Sequence, residues 1–505
     1  MKDVNRRDFL KYAGGGMAAL VVGSGMPWLF DNKAYAAVRL QTLTFRITDA
    51  MKQMVTHNAI NSAECYHWIY VALDPSGNPL FPAECPGPNI FSTEGDLIQI
   101  SVTNDLDEDH AFFIPRVFRS GPIAPGATKV FRFRAPRAGT YLYYDNLNEP
   151  VNRVMGLHGA FIVMPAAAQP GHKFTPYSRP TPAVQRLFDD FGTDLATGQP
   201  THYPGLAWQE GDAVTDTPAF RQYVWLTHEA SSRLFAEVGN FPAGQDYPAE
   251  TFVNAFLSDP FRADGLNRKP EYFTIQGQSG HFAHGNPSIT PNLRVGEPCI
   301  VRILNAGLQT HSMHLHANHF WVTSLNGVVQ TNPLWMDVFT VHPLDTLEYV
   351  IPLMRPPDIP NATGRGFSDA PLAVNALPVP APFGPNAGPT VAGVTTWPPE
   401  QELEMFMPNV GVTAAGVIGG VPIHMSMSPL CYPMHDHTEP SQTSQGGNYN
   451  LGLIAGLNFT GDRNAPGGVR TFPNKPTVFG PKALPGSAET GTGLAAGPEG
   501  GGHGG

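Results

Sequence analysis

Charged residues are scarce in this chain, and it has no closely spaced CxxC pair of cysteines. Asp, Glu, Lys and Arg make up only 14% of the 505 residues, and the excess of acidic ones gives a formal net charge of -11. That balance argues against nucleic acid or an anionic membrane surface as a partner. The four cysteines, Cys65, Cys85, Cys299 and Cys431, form no CxxC pair, which argues against a zinc ribbon. In an oxidising compartment Cys65 and Cys85 could form a disulfide, but their spacing alone does not decide this.

The N-terminus has the pattern of an export signal. Arg6 and Arg7 precede a short apolar run rich in Gly and Ala over residues 12–26, and Ala34-Tyr35-Ala36 offers small residues at the cleavage positions. The apolar run is too short and too rich in glycine to span a membrane well, and no other segment could span one. We therefore expect a twin-arginine signal peptide over residues 1–36 and a periplasmic or secreted protein without a membrane span.

Glycine, proline and apolar residues are abundant. The chain has 53 Gly and 51 Pro, and 42% of its residues are hydrophobic, a mixture typical of an all-β, loop-rich protein. Residues 95–102 and 130–134 alternate in period two, as strands with one buried face do. The motif of Gly95-Asp96 followed by Asn104 recurs weakly as Gly296-Glu297 followed by Asn305. These patterns predict two related Greek-key β-sandwiches.

Composition also divides the chain. A segment rich in proline follows the first strand-rich unit, a second such segment interrupts the second unit, and Gly and Pro dominate the C-terminus. The predicted organisation is a first domain over 37–165, a linker over 166–204, a second domain over 205–460 with an inserted loop over 356–398, and a tail over 461–505.

The strongest chemical signal is a group of four histidines, His311, His314, His316 and His319. Alternate side chains of a strand share a face, so His314 and His316 are expected to point together. Imidazoles that converge from one strand and its loop suit copper. The alternative, a set of surface histidines on a loop, is weaker because an apolar strand follows directly.

A second signal is His435-Asp436-His437, which again places two imidazoles on one side of a strand. Cys431 and Met434 precede it, and His424, Met425 and Met427 lie further upstream. Thiolate, thioether and imidazole together favour copper over hard cations. The alternative is an ordinary end of a core strand with one buried histidine.

Four sequence blocks resemble those of the multicopper oxidase family. The blocks are Cys85-Pro86-Gly87-Pro88-Asn89-Ile90; Gly139-Thr140-Tyr141 with Gly156-Leu157-His158-Gly159; Asn305-Ala306-Gly307 with residues 311–319; and His435-Asp436-His437 with Gly452-Leu453. Residues 311–319 are similar to the family's HPxHLHGH block, which is the most specific match. The resemblance implies an all-β fold of tandem cupredoxin-like Greek-key sandwiches and one to a few copper ions per chain.

The resemblance also implies roles for individual histidines. His110 and His314 match ligands of the type 2 copper, His316, His435 and His437 match ligands of the type 3 coppers, and His311 matches the first histidine of the type 1 copper. These six residues are the predicted metal ligands. Secondary candidates are Cys431, Asp436, His319 and His158.

The departures from the family pattern are large. The first HxH block has become His110-Ala111-Phe112, and the second has become Tyr144-Asp145-Asn146. Asp436 stands where the family has the type 1 cysteine, and no histidine follows His437 until His503. Cys431 could supply the missing thiolate ligand. The alternative interpretation is that Cys431 is a small buried residue of the core. A type 1 site, if present, is therefore atypical.

Three functions follow as hypotheses. The favoured one is a copper-dependent oxidoreductase that oxidises a metal ion or a small organic reductant with oxygen. The alternatives are a non-catalytic periplasmic protein for copper binding or resistance, and a structural cupredoxin without metal. Two-domain relatives in this family form homotrimers with copper between subunits, which by analogy would bring His110 of one chain to His314 of the next.

Overall fold

The computed structural model describes most of both predicted domains. The described residues are 40–54, 63–80, 84–190, 221–257, 268–284, 286, 288–295, 299–316, 318–351, 412–413, 417–418, 421–422, 430–438, 441 and 452–462. The predicted signal peptide and inserted loop lie outside them, as does the predicted tail apart from residues 461–462. None of the helices within this part of the chain is long and apolar enough to cross a membrane.

The described part of the first sandwich has nine strands in two sheets. The strands are β1 (Leu40–Met54), β2 (Ala63–Ala72), β3 (Ile90–Thr93), β4 (Leu97–Asn104), β5 (Phe113–Ile114), β6 (Phe118–Arg119), β7 (Thr128–Arg134), β8 (Gly139–Tyr144) and β9 (His158–Met164). One sheet has the order β2-β1-β4-β7 and the other β3-β9-β8-β5-β6. The predicted alternation holds in β4, where Ile98, Ile100 and Val102 are fully buried.

The second sandwich has a larger sheet, a five-stranded sheet and a small three-stranded sheet. Its strands are β10 (Arg221–Ala230), β11 (Tyr272–Ile275), β12 (Asn292–Val295), β13 (Cys299–Asn305), β14 (His311–Leu315), β15 (Phe320–Leu325), β16 (Val328–Met336), β17 (Val338–Val341), β18 (Thr346–Ile351), β19 (Val412–Thr413), β20 (Val417–Ile418), β21 (Val421–Pro422), β22 (Leu430–Asp436) and β23 (Ile454–Asp462). The orders are β11-β10-β13-β18-β15-β16, β12-β23-β22-β14-β17 and β19-β20-β21. The predicted tandem of cupredoxin-like sandwiches is confirmed.

The two sandwiches repeat the same topology. In the first, β1 pairs with β4 in parallel, and in the second β10 pairs with β13 in the same way. The sheet β3-β9-β8-β5-β6 corresponds strand for strand to β12-β23-β22-β14-β17. Asn104 and Asn305 end the matching strands, and each side-chain amide donates to the carbonyl four residues later, at 2.7 Å in both cases. The weak sequence repeat therefore marks a real structural one.

Among the described residues, five helices lie between strands, and the strand patterns of the sequence did not predict them. They are α1 (Val151–Val154), α2 (Pro182–Asp190), α3 (Ser232–Gly239), α4 (Ala249–Leu257) and α5 (Gly280–His284). Helix α2 lies within the predicted linker, and Val184, Leu187 and Phe188 bury its apolar side. Ser231 immediately precedes helix α3, and its hydroxyl caps the helix by accepting from the amide of Leu234 at 3.2 Å.

Buried polar groups join the two sandwiches. The guanidinium of Arg302 donates to Glu348 within the second sandwich and to Thr140 of the first, the latter at 2.9 Å. Arg153 of the first sandwich reaches the backbone carbonyls of Ala306 and Gly307. A buried cation without partners would be strongly destabilising, so these bonds fix how the sandwiches meet.

Candidate metal centre

Two neighbouring strands of the second sandwich carry the main histidines. Strand β14 pairs with β22 in antiparallel register, and His314 lies directly opposite His435. His316 follows the end of β14, and His437 follows the end of β22. Because side chains directly opposite each other on one face are close, this register brings two HxH motifs to one place.

The four imidazoles form one compact cluster. The ring centroid of His314 lies 5.0 Å from that of His316, 5.4 Å from that of His435 and 4.7 Å from that of His437. Ligand nitrogens of His314, His435 and His437 all lie within 4.8 Å of one another. The Nε2 atoms of His316 and His435 are 2.8 Å apart. The expected convergence of imidazoles from two strands is therefore present.

Backbone carbonyls orient these rings. Nδ1 of His314 lies 3.1 Å from the carbonyl oxygen of Asp337, and Nδ1 of His435 lies 3.0 Å from that of Asp436. Metal-binding histidines commonly hold their second ring nitrogen in this way. Burial lowers the pKa of His435 to about 4 and also lowers that of His314, so both rings are neutral near pH 7. Neutral imidazoles are the form that binds a metal.

The cluster opens to solvent on one side, since His435 is buried and His437 is exposed. Its donors are imidazole nitrogens, which suit copper better than calcium or magnesium. The residues present therefore fit a copper ion held by His314, His435 and His437, with His316 as a further donor. Their role as ligands stays a prediction.

His311 lies in a separate, closed cluster. Its Nδ1 is 2.6 Å from Oδ2 of Asp436, and its Nε2 is 2.6 Å from Oε1 of Glu229. All three side chains are fully buried. Burial alone would lower the pKa of His311, but the hydrogen bonds and charges of the two carboxylates raise it to about 10. In this arrangement both ring nitrogens are engaged, so neither is left for a metal.

The partner Glu229 was missed at the sequence level. It stands in β10, which the histidine and cysteine motifs do not include, and it accepts from the amide of Leu308 at 2.8 Å as well as contacting His311. Asp436 was a secondary candidate for a metal ligand or an orienting partner, and the structure shows it holding His311.

His110 occupies the equivalent position in the first sandwich. It stands six residues after Asn104, as His311 does after Asn305, and its Nδ1 lies 2.7 Å from Oδ2 of Asp145. The structure thus equates His110 with His311, whereas the sequence resemblance had matched it with His314. Its ring is fully buried and packs against Trp68 at 5.2 Å.

The secondary candidates lie apart from one another. The ring of His319 stacks on Trp335 with centroids 5.3 Å apart. His158 is buried between the sandwiches, where its ring centroid is 4.5 Å from that of His228. The side chain of Cys431 lies outside the described part of the chain. Cys65 and Cys85 are both free thiols, so the disulfide left open by the sequence is not formed.

Comparison with known proteins finds similarity to one family in a segment of each sandwich. Models of the multicopper oxidase family match residues 78–168 and 258–352. Two segments of the chain are therefore similar to the multicopper oxidase family. Copper is the cofactor that this similarity implies, and the matched segments include His110 of the first sandwich and His311, His314 and His316 of the second.

Curated relatives resemble only parts of the chain. A multicopper oxidase of Talaromyces pinophilus is 31% identical over 287 residues, which are 52% of this chain and 43% of that protein. A copper-containing nitrite reductase of Alcaligenes xylosoxydans is 25% identical over 203 residues, which are 37% of this chain and 56% of that protein. The chain thus spans less than two thirds of either relative.

Among solved structures, a blue copper oxidase of Nitrosomonas europaea aligns with a TM-score of 0.46 and 14% sequence identity, covering 83% of this chain and 86% of that one. The multicopper oxidase mgLAC aligns with a TM-score of 0.45 and 16% identity, covering 84% of this chain and 87% of that one.

Proposed function

We propose that the protein is a copper-dependent oxidoreductase that oxidises a metal ion or a small organic reductant and passes the electrons to oxygen. The observation that carries this proposal is the cluster of four imidazoles at the ends of β14 and β22. Ligand nitrogens of three of them lie within 4.8 Å of one another. Similarity to the multicopper oxidase family supplies the expected metal, copper.

The chain's own residues perform distinct tasks in this proposal. His314, His435 and His437 hold the ion, and the carbonyls of Asp337 and Asp436 fix the orientation of two of the rings. The exposure of His437 leaves a side of the centre open to oxygen or to a reductant. When bound, copper supplies one-electron redox chemistry, which no protein side chain here supplies alone.

Copper content and oxygen uptake test the proposal together. The purified full chain, produced with copper, should contain copper and consume oxygen in the presence of Cu(I), Fe(II) or a phenol. His435→Gln should lose the copper of this centre and the oxygen uptake, because it removes a central donor. The matched control is His172→Gln, since His172 is 48% exposed and lies in the predicted linker. Full copper loading without oxygen uptake in the presence of any of these reductants would refute the proposed oxidase activity.

A second function, copper binding without turnover, is favoured by one observation. The position that the family resemblance assigns to the type 1 copper is filled by the buried ion pairs of His311 with Asp436 and Glu229. A centre without an electron entry site would bind copper and not turn over. This function predicts tight copper binding and no oxidase activity, and rapid oxidation of phenols or Cu(I) would exclude it.

Export and assembly belong to the same proposal. Export by the twin-arginine route to the periplasm is proposed from the sequence, and substitution of Arg6 and Arg7 by lysine should retain the protein in the cytoplasm. The proposed homotrimer would need His110 at a subunit boundary, and its complete burial beside Asp145 does not favour that contact. Light scattering of the purified chain measures the assembly directly.

A further inference from the structure

A second group of histidines surrounds a cysteine between the two sandwiches. His67 comes from β2, Cys85 from the loop before β3, His158 from the start of β9, and His228 from β10 of the second sandwich. All four side chains are buried. They come from four separate segments of the sequence, and the cluster exists only once the two sandwiches meet.

The donor atoms of this group lie close together. A ring nitrogen of His67, a ring nitrogen of His228 and Sγ of Cys85 all lie within 4.8 Å of one another. Nε2 of His158 is 4.0 Å from the same sulfur. Ligands bound at about 2.0–2.3 Å from one ion lie roughly 3.3–4.0 Å apart in trigonal or tetrahedral geometry, so a contraction of about 1 Å would complete the site.

Each of the three imidazoles has one nitrogen held by a backbone carbonyl. Nδ1 of His67 lies 3.0 Å from the carbonyl of Cys65, Nδ1 of His158 lies 2.8 Å from that of Arg153, and Nε2 of His228 lies 2.6 Å from that of Val154. This is the arrangement that fixes the tautomer and the orientation of metal-binding histidines. In each ring the other nitrogen keeps its lone pair for a ligand role.

The protonation states suit metal binding. Burial lowers the pKa of His67 to about 3 and that of His228 to about 4, so both rings are neutral at any ordinary pH. Burial raises the pKa of the Cys85 thiol to about 12, so without metal the thiol stays protonated. An ion would displace that proton, as thiolate-binding metals do.

The backbone packs closely against the sulfur, at a position where only glycine fits. Gly156 has a φ of +127°, and a Cβ there would lie 3.1 Å from Sγ of Cys85 and 2.4 Å from the carbonyl oxygen of Trp68. The ring of Phe235 packs edge-to-face against His67, with centroids 5.3 Å apart, and all four side chains of the cluster are buried. The pocket is therefore closed to water, as structural and electron-transfer metal sites are.

We propose that His67, Cys85, His158 and His228 form a second metal site, which binds copper or zinc through three imidazoles and one thiolate. Imidazole and thiolate donors are preferred by borderline-soft transition metal ions. Calcium and magnesium are excluded, because they bind oxygen ligands. The site does not rest on the proposed oxidase activity, because its residues are distinct from His314, His435 and His437. If copper is the occupant, the thiolate makes the site coloured.

The test compares metal content and colour in matched variants of the full chain, produced separately with copper and with zinc. The variants are Cys85→Ala, Cys299→Ala, Cys431→Ala and His435→Gln. Cys299 is the matched control, because it is a buried cysteine that forms no disulfide and lies outside the cluster. Cys431→Ala tests the other thiol that the sequence suggested as a copper ligand.

We expect Cys85→Ala to lose one ion per chain relative to the wild type, and Cys299→Ala to lose none. The copper form should be intensely coloured, and the colour should vanish in Cys85→Ala but persist in His435→Gln. A colourless zinc form that loses one zinc ion in Cys85→Ala supports the same site.

Two results would overturn the proposal. One is equal metal content in the wild type and Cys85→Ala with both metals, and the other is a colour lost in Cys431→Ala but kept in Cys85→Ala. If Cys85→Ala does not fold, X-ray absorption on the wild type replaces it. Absence of a sulfur ligand at about 2.3 Å from both metals would then count against the site.

Discussion

Replacement of His311 by glutamine should destabilise the second sandwich severely. The protonated ring of His311 lies between Asp436 and Glu229, and all three side chains are fully buried. Glutamine keeps the approximate size and can still donate a hydrogen bond, but it carries no charge. The variant therefore leaves two carboxylates facing each other in the core without a cation.

The size of the effect follows from burial. Removal of one partner from a buried ion pair costs about 3–5 kcal/mol, because the remaining charge is left uncompensated. A change of 1 kcal/mol shifts the melting temperature of a domain of this size by about 2–4 °C, so a drop of roughly 6–20 °C is expected. Asp436→Asn should cost less, since His311 and Glu229 would still form a neutral pair.

His172 provides the matched control. Its Nδ1 lies 2.7 Å from Oδ2 of Asp189, nearly the spacing of the buried pairs, but its side chain is 48% exposed. His172→Gln should therefore cost at most about 1 kcal/mol, because water screens exposed pairs. Calorimetric melting temperatures of the three proteins provide the comparison. Equal losses in His311→Gln and His172→Gln would refute the argument from burial, and loss of a copper ion in His311→Gln would show that His311 binds metal.

Two further predictions concern the remaining buried charges. In the metal-free protein, the pKa of His110 is raised to about 9 and that of His311 to about 10, so the stability that these two residues contribute is complete below about pH 6.5 and is lost as pH rises through 9–10. The pKa of His67 is lowered to about 3 and that of His228 to about 4, so stability is also lost as pH falls from about 6.5 toward those values. Melting temperatures across pH should therefore peak near pH 6.5, and a flat profile would contradict this. Arg302→Met should lower the free energy of unfolding by about 3–5 kcal/mol, because Glu348 loses its buried cation. The additional change Glu348→Gln should restore part of that stability. Calorimetry that finds the double variant no more stable than Arg302→Met would contradict this explanation.

The sequence predicted the strands and their repetition well because both depend on local patterns. Alternating burial in β4 follows from period-two apolar residues, and Asn104 and Asn305 end matching strands in both sandwiches. Helix α3 was not predicted, because it is one short segment between strands and its apolar residues pack against the first sandwich rather than within its own. A local pattern does not reveal such a distant packing surface.

The metal-site residues likewise fall into those that a local sequence pattern predicted and those that it did not. His314 and His435 were predicted to converge, because the HxH pattern places two imidazoles on one face of each strand. The antiparallel register of β14 with β22 then sets these two histidines opposite each other. The cluster around Cys85 was not predicted. His158 was a secondary candidate for a metal ligand, but His67 and His228 were not candidates, since a single histidine in a strand carries no metal signal. Only the contact between the sandwiches brings them together.

The repeat gives the strongest reason to look for a metal site outside the positions expected from the family. Strand β5 pairs with β8 as β14 pairs with β22, so Phe113 and Tyr144 of the first sandwich stand where His314 and His435 stand in the second. Their rings even keep the edge-to-face contact, with centroids 5.2 Å apart against 5.4 Å for the two histidines.

A buried histidine beside an aspartate also occurs at the same point of both sandwiches, as His110 with Asp145 and as His311 with Asp436. An imidazolium held by carboxylate is a poor metal ligand, because the proton occupies the lone pair that the metal needs. The position that the family resemblance assigns to the type 1 copper has thus become an ion pair, and its counterpart in the first sandwich is one too. Within the described residues, the thiol with imidazoles around it is Cys85, so a thiolate-bound copper in this chain is to be sought between the sandwiches.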